Sequence, residues 1–175
     1  MSDQRHLPFN GKTPTVADDA FIAPGAAVIG DVTLGPRASL WFNVTARGDV
    51  AGLQIGAGSN VQDNAVLHVD AGRACLIGEN VTIGHGAIVH ACTVENDVLI
   101  GMGAIVLSRA HIGTGSIIAA GAVVPEDAVI EPHTMVMGVP AKPRRTLTPE
   151  EHERVLDNAR RYVTLAAEYR RQGGA

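Results

Sequence analysis

Aromatic side chains are scarce in this sequence: Phe, Tyr and Trp make up 3% of its 175 residues, while 46% of the chain is hydrophobic. That combination excludes a core built around large rings. The interior must be assembled from Val, Ile, Leu and Ala, whose compact shapes suit tight, regular stacking. Cysteine is nearly absent too. With only Cys75 and Cys92 there is no disulfide framework, and two buried or half-exposed thiols are expected. No apolar run approaches the roughly 20 residues that cross a bilayer. The opening stretch, residues 1–12, lacks the apolar segment of a secretory signal. These absences point to the cytoplasm and to no membrane partner. Positive charge is not in excess either: the net charge of -4 speaks against nucleic acid as a partner. The short basic stretch Lys142, Arg144, Arg145 reads as a solvated junction.

What the chain does have is a beat of six. Aliphatic residues recur at Val16, Ile22, Val28, Leu34 and Leu40, then at Ile55, Val61 and Leu67, and again at Ile77, Ile83 and Val89. After a short step to Val94 the beat runs through Ile100, Val106, Ile112, Ile118, Val124, Ile130 and Val136. Glycine often follows the aliphatic residue, as at Gly56, Gly78, Gly84, Gly101 and Gly113. A small or β-branched residue usually sits four after it, as at Ala26, Ala38, Ala87, Ala104 and Ala122. A period of six fits neither a helix nor a plain alternating strand. It fits a prism whose faces are short strands and whose corners are turns, with three hexads making one triangular coil of about 18 residues. The reading is an all-β solenoid, a parallel β-helix, occupying residues 1–145 with hexads over about 16–140. Repeats of this kind resemble left-handed β-helices, an exception to the usual right-handed crossover.

The beat breaks in three places. Spacing is irregular between Leu40 and Ile55, around Arg47-Gly48-Asp49. Four residues are inserted between Leu67 and Ile77, near Asp70 to Ala74, and one is missing between Val89 and Val94. After Pro140 the pattern changes. Thr148-Pro149-Glu150-Glu151 reads as an N-cap, a proline at the first helical position and a capping-box glutamate. Val155, Ala159, Tyr162, Val163, Ala166 and Tyr169 then form one apolar stripe. A helix over about 149–171, within a C-terminal segment 146–175, should pack back on one face of the prism.

Three histidines fall in register with this architecture. Leu67 and Val89 are 22 apart, one coil plus the four inserted residues, so His68 and His90 lie on the same face one coil apart. At about 4.8 Å between backbones, two imidazoles can share one metal ion. His85 belongs to the preceding hexad and lies around a corner. It cannot reach that metal in its own chain, whereas His85 of a neighbouring chain can. A head-to-tail interface of that kind closes into a ring, and three triangular prisms close most simply as a homotrimer with metal at the subunit interfaces. Three histidine ligands leave an open coordination position, as catalytic sites do.

The motifs Arg47-Gly48-Asp49, Asn60-Val61-Gln62-Asp63-Asn64, Leu67-His68, Gly84-His85-Gly86-Ala87-Ile88-Val89-His90, Ile100-Gly101-Met102-Gly103 and Gly138-Val139-Pro140-Ala141-Lys142 together resemble the γ-class carbonic anhydrase family over nearly the whole chain. The resemblance implies that His68, His85 and His90 bind Zn2+, or Fe2+ or Co2+ in its place. It implies that Arg47, Asp49 and Asp63 form a salt-bridge network across the subunit interface, and that Asn60 and Gln62 orient substrate or water. Tyr162 matches a helix position that approaches the site in relatives. The reaction implied is hydration of carbon dioxide to bicarbonate by a water whose pKa the metal lowers to about 7. The chain departs from the archetypal pattern twice. Val50 stands where a glutamate follows the aspartate, and only Val69-Asp70-Ala71-Gly72-Arg73 stands in place of a long acidic loop with a proton-shuttling glutamate. Asp70 is the one carboxylate left there to carry protons. Three other functions fit the same features: a metal-dependent acyl-CoA thioesterase, a hexapeptide acyltransferase with His111 as general base, and a metal-binding protein without catalysis.

Overall fold

The computed structural model describes residues 6–173. Residues 1–5, the start of the stretch read above for a signal, and 174–175, the end of the C-terminal segment, lie outside the described residues. The chain forms a parallel β-solenoid of about seven turns followed by one helix. Among the described residues no helix is long and apolar enough to cross a membrane.

The prism has three faces. Face I carries the strands Val66–His68, Ile88–His90, Ile105–Val106 and Val123–Val124. Face II carries Cys75–Ile77, Thr93–Val94, His111–Ile112 and Val129–Ile130. Two longer strands, Ala27–Leu34 and Thr45–Ile55, run from face I onto face II. Face III stacks Phe21–Ile22, Ser39–Leu40, Asn60–Val61, Thr82–Ile83, Leu99–Ile100, Ile117–Ile118 and Thr134–Met137 in parallel register. The hexad residues point inward: Ile100, Val106 and Ile112 are fully buried in one continuous aliphatic column. Truncating one of them leaves a cavity that rigid coils above and below cannot close. Ile100→Ala is therefore expected to cost about 2–5 kcal/mol, read as a fall in denaturant midpoint at unchanged slope.

The glycine that follows the aliphatic residue is explained by how closely successive coils approach. A Cβ at Gly56 would lie 2.4 Å from the Gly78 carbonyl oxygen, and one at Gly84 would lie 2.7 Å from the Met102 nitrogen. At both corners the neighbouring coil's backbone occupies the space of a side chain.

The irregular region after Leu40 resolves into a single strand with a bulge. Between the paired residues Gly30 and Val32 of Ala27–Leu34 stands one residue, Asp31, while four residues, 49–52, stand between their partners Gly48 and Leu53 on Thr45–Ile55. The extra residues leave the ladder immediately after Gly48. The insertion after Leu67 is a tight turn closed by an antiparallel bridge between Asp70 and Arg73. The basic stretch also differs from expectation. It is not a plain junction: Lys142–Thr146 is an exposed strand that runs antiparallel along Thr134–Met137, so it covers the edge of the final coil on face III. Pro143 is tolerated there because the strand is itself at an edge.

The helix spans Pro149–Arg171 with the expected capping box. Thr148 Oγ1 accepts from the Glu151 amide at 3.2 Å, and the Glu151 carboxylate accepts from the Thr148 amide at 3.0 Å. Arg145 donates to both Glu151 oxygens, at 2.6 and 2.7 Å, which ties the edge strand to the helix start. This fork, with the Thr148 amide, lowers the Glu151 pKa from 4.5 to about 2. A depressed carboxylate pKa stabilises the fold fully above the unfolded value and progressively less as pH falls through the folded one. The melting-temperature gap between wild type and Glu151→Gln is thus expected to be constant above about pH 5 and to close as pH approaches 2.

The helix lies on face III, against Phe21–Ile22, Ser39–Leu40, Asn60–Val61 and Thr82–Ile83. Val155, Ala159 and Ala166 are buried there. The scarce aromatics gather in this second core: Trp41 meets Phe21 at 5.2 Å, Tyr162 at 5.3 Å and Tyr169 at 5.3 Å between ring centroids. Phe42 completes the group, 6.0 Å from Tyr169. Among the described residues, the prism interior itself holds no aromatic ring.

Candidate functional site

Polar side chains gather in two groups on different parts of the prism. The first is on face I. His68 and His90 end consecutive strands and are direct cross-strand partners, and Arg47 occupies the rung beside His68. In-register parallel pairing stacks the two imidazoles, with centroids 5.2 Å apart and His68 Nδ1 facing His90 Nε2 at 3.2 Å. The two outer nitrogens each meet an oxygen: His68 Nε2 lies 2.9 Å from Asp49 Oδ1, and His90 Nδ1 lies 2.9 Å from Ser108 Oγ. Asp49 stands on the bulge after Gly48, where it also pairs closely with Arg47. Desolvation works against its charge, but the hydrogen bonds from His68 and Arg47 and the Arg47 charge outweigh it and hold the carboxyl below the usual range.

The second group lies on face III and the corner that follows. Asn60 donates to Thr82 Oγ1 at 2.9 Å, and Gln62 donates to Asn60 Oδ1 at 3.1 Å. Both amides are buried. His85 is exposed at the next corner, and its Nδ1 pairs with Asp63 Oδ2 at 2.7 Å. The helix contributes Asn158, which donates to Thr82 Oγ1 at 3.1 Å, and Tyr162. A groove of about 550 Å³ is lined by polar Gln62, His85, Asn158 and Tyr162 and by apolar Leu99 and Ile117. Desolvation, then the nearby Asp63 charge, raises the Tyr162 pKa against the opposing Arg161, so the phenol stays protonated and able to donate.

Arg47, Asp49, His68 and His90 thus form one group, and Asn60, Gln62, Asp63, His85 and Tyr162 another. Within one chain Asp63 does not join the Arg47–Asp49 pair; it holds His85 instead. Among the described residues, no three His, Cys, Asp or Glu side chains of one chain are arranged to hold a metal ion. Asp70 is committed to its own turn, where Oδ1 accepts from the Ala71 amide at 2.8 Å. His111 lies on face II, where Nε2 pairs with Glu95 Oε1 at 2.7 Å. Sequence reasoning missed three participants. Thr82 was within reach, since it pairs in register with Asn60. Ser108 was within reach as well, 18 residues or one coil after His90, whereas Asn158 lies on the helix, outside the repeat.

Residues 91–126 match the bacterial transferase hexapeptide family, as six repeats. A carbonic anhydrase of Geobacillus kaustophilus is 43% identical over 93% of this chain and 88% of its own length. The mitochondrial gamma carbonic anhydrase 2 of Arabidopsis thaliana is 42% identical over 89% of this chain. The chain belongs to the γ-class carbonic anhydrase family. It spans 58% of the length of the Arabidopsis family member. Among solved structures, a hexapeptide transferase family protein from Anaplasma phagocytophilum superposes with a TM-score of 0.91 at 40% identity, over 95% of this chain and 98% of the other. Carbonic anhydrase relatives of this kind suggest a metal cofactor and a carbon dioxide or bicarbonate substrate.

Proposed function

We propose that this family member is a cytoplasmic homotrimer that hydrates carbon dioxide at zinc sites shared between subunits, with His68 and His90 from one chain and His85 from the next. The observation that carries the reading is the split itself: a two-histidine rung on face I and a lone, exposed histidine at a corner of face III. Iron or cobalt could take the place of zinc. The donor set fits such an ion. Each imidazole has one nitrogen held by an oxygen, from Asp49, Ser108 or Asp63, and a second nitrogen that meets no oxygen; on face I the two second nitrogens face each other. That is the usual arrangement of metal-binding histidine. The 3.2 Å between His68 Nδ1 and His90 Nε2 matches the roughly 3.3 Å edge of a tetrahedron with bonds of about 2.0–2.1 Å. Apolar side chains flank both halves: Val66 and Ile88 are 37% and 40% exposed on face I, and Met102, at the corner stacked on His85, is 61% exposed. A heterologous contact would cover them together.

Zinc bound there supplies Lewis acidity that brings the pKa of a water near 7. The chain's own residues do the rest. Asp49, Ser108 and Asp63 fix the imidazoles, and the Gln62–Asn60–Thr82 amide chain presents a rigid polar edge that orients the reactants. Tyr162, protonated, offers a hydrogen bond from the helix. Val50 follows Asp49 where the family pattern has a glutamate, and Asp70 is tied to its turn, so neither shuttle position carries the released proton away and solvent buffer takes it.

The test is metal analysis and stopped-flow carbon dioxide hydration on protein reconstituted with zinc, iron and cobalt. One metal per chain and metal-dependent turnover are expected. A fully loaded protein that stays inactive at high buffer would move the assignment to a thioester hydrolase or a binding role. Saturation by acetyl-CoA without metal would favour the acyltransferase alternative, which the His111–Glu95 pair and the Anaplasma relative make the next to examine.

A further inference from the structure

Resting on that metal reading, we infer that Ser108 is a positioning residue whose hydroxyl lets His90 exchange one imidazole tautomer for the other as metal binds. His68 and His85 are oriented by carboxylates, which only accept hydrogen bonds when ionised. His68 bonded to Asp49 therefore carries its proton on Nε2 and presents a lone pair at Nδ1. With both imidazoles neutral, the 3.2 Å contact to His90 Nε2 is then a hydrogen bond only if His90 Nε2 carries a proton. In that state His90 Nδ1 is the acceptor and Ser108 Oγ–H the donor, across 2.9 Å. Metal binding needs the opposite: Nε2 must offer its lone pair, so the ring proton moves by way of solvent to Nδ1, which donates to Ser108 Oγ. The ring stays neutral throughout and the hydroxyl reverses from donor to acceptor. Only a group that both donates and accepts fits both states, and serine does.

Ser108 is well placed to hold that position. It is 5% exposed, at the corner after Ile105–Val106. Its carbonyl accepts from the Asp127 amide at 3.2 Å, and the next residue's amide donates to Ala91 O at 2.8 Å. Arg109 then clamps the corner onto Asp127 and Glu126. The oxygen therefore stays at a fixed place relative to the His90 ring.

The test follows the His90 ring by long-range 15N–1H spectra, alongside zinc affinity by chelator competition. The ring proton of wild-type His90 is expected on Nε2 without metal and on Nδ1 with zinc. Ser108→Ala should weaken zinc binding by about 10–100-fold, Ser108→Thr should restore most of it, and both metal-free variants should melt close to wild type. One tautomer in both states, or wild-type zinc affinity in Ser108→Ala, would overturn the inference. If Ser108→Ala does not fold, the wild-type spectra and Ser108→Thr decide it. His90→Ala with undiminished zinc content would instead overturn the metal reading beneath it.

Discussion

His90→Ala is expected to empty the site and bring carbon dioxide hydration down to the buffer rate. Of the proposed ligands, His68 and His90 form the half contributed by a single chain, and their facing nitrogens are set by one rung of the sheet. With His90 gone, His68 and a partner's histidine remain, which is too few to hold zinc at concentrations that saturate wild type. A metal ion contributes several kcal/mol of charge stabilisation to such a reaction, so turnover should fall by at least about 10³-fold. The fold should not pay for the change. His90 is half-buried at the end of its strand, and the inward residue that supports the core there is Val89, which is fully buried. Metal-free wild type and variant should therefore differ by less than about 1 kcal/mol in stability. Equal metal content in the two proteins would show that the rung on face I is not a metal half-site.

The second large effect concerns protons. In the proposed reaction, attack on carbon dioxide and recovery of the proton-poor state are separate steps, and the proposed site offers residues only for the first. Val50 is 54% exposed and directly follows Asp49, whose carboxylate reaches His68. A carboxylate at this position would stand beside the site with access to solvent. Val50→Glu is expected to raise kcat at low buffer by up to ~10²–10⁴-fold, the range for a positioned acid or base. It should also flatten the buffer dependence, while wild-type kcat climbs with buffer concentration. Because the gain belongs to proton transfer, kcat/KM for carbon dioxide should change little. A wild-type kcat indifferent to buffer would place the slow step elsewhere.

The beat of Ile100, Val106 and Ile112 revealed the prism because every hexad turns its beat residue into the same buried aliphatic column. The same arithmetic put His68 opposite His90, since the four residues inserted after Leu67 leave the prism as a turn and do not disturb the register that follows. The bulged strand Thr45–Ile55 was not legible, because its extra residues are polar, glycine or half-exposed and carry no period. The aromatic core was hidden for another reason. Phe21 and Trp41 each adjoin a beat residue and face outward, so their burial depends on where the helix lands. The edge strand Lys142–Thr146 is exposed throughout and has no alternation to read. Ser108 lies 18 residues after His90, one coil on, so the spacing held the contact, but a serine in a turn carries no sign that its hydroxyl faces an imidazole.

The shared site is tested most directly by combining two inactive chains. His85→Ala subunits keep the His68–His90 rung, and His90→Ala subunits keep the corner histidine. Each alone should lack metal and activity. Co-expressed under different tags and purified through both, the mixed trimers should regain zinc and turnover, because wherever the two kinds of subunit meet in one of the two orders an intact three-histidine site forms. Every mixed trimer, two subunits of one kind and one of the other, holds one such contact among its three, so about a third of the sites are restored. Zinc and carbon dioxide hydration returning to that level would support a site built between chains; mixed trimers as empty and inactive as their parents would contradict it.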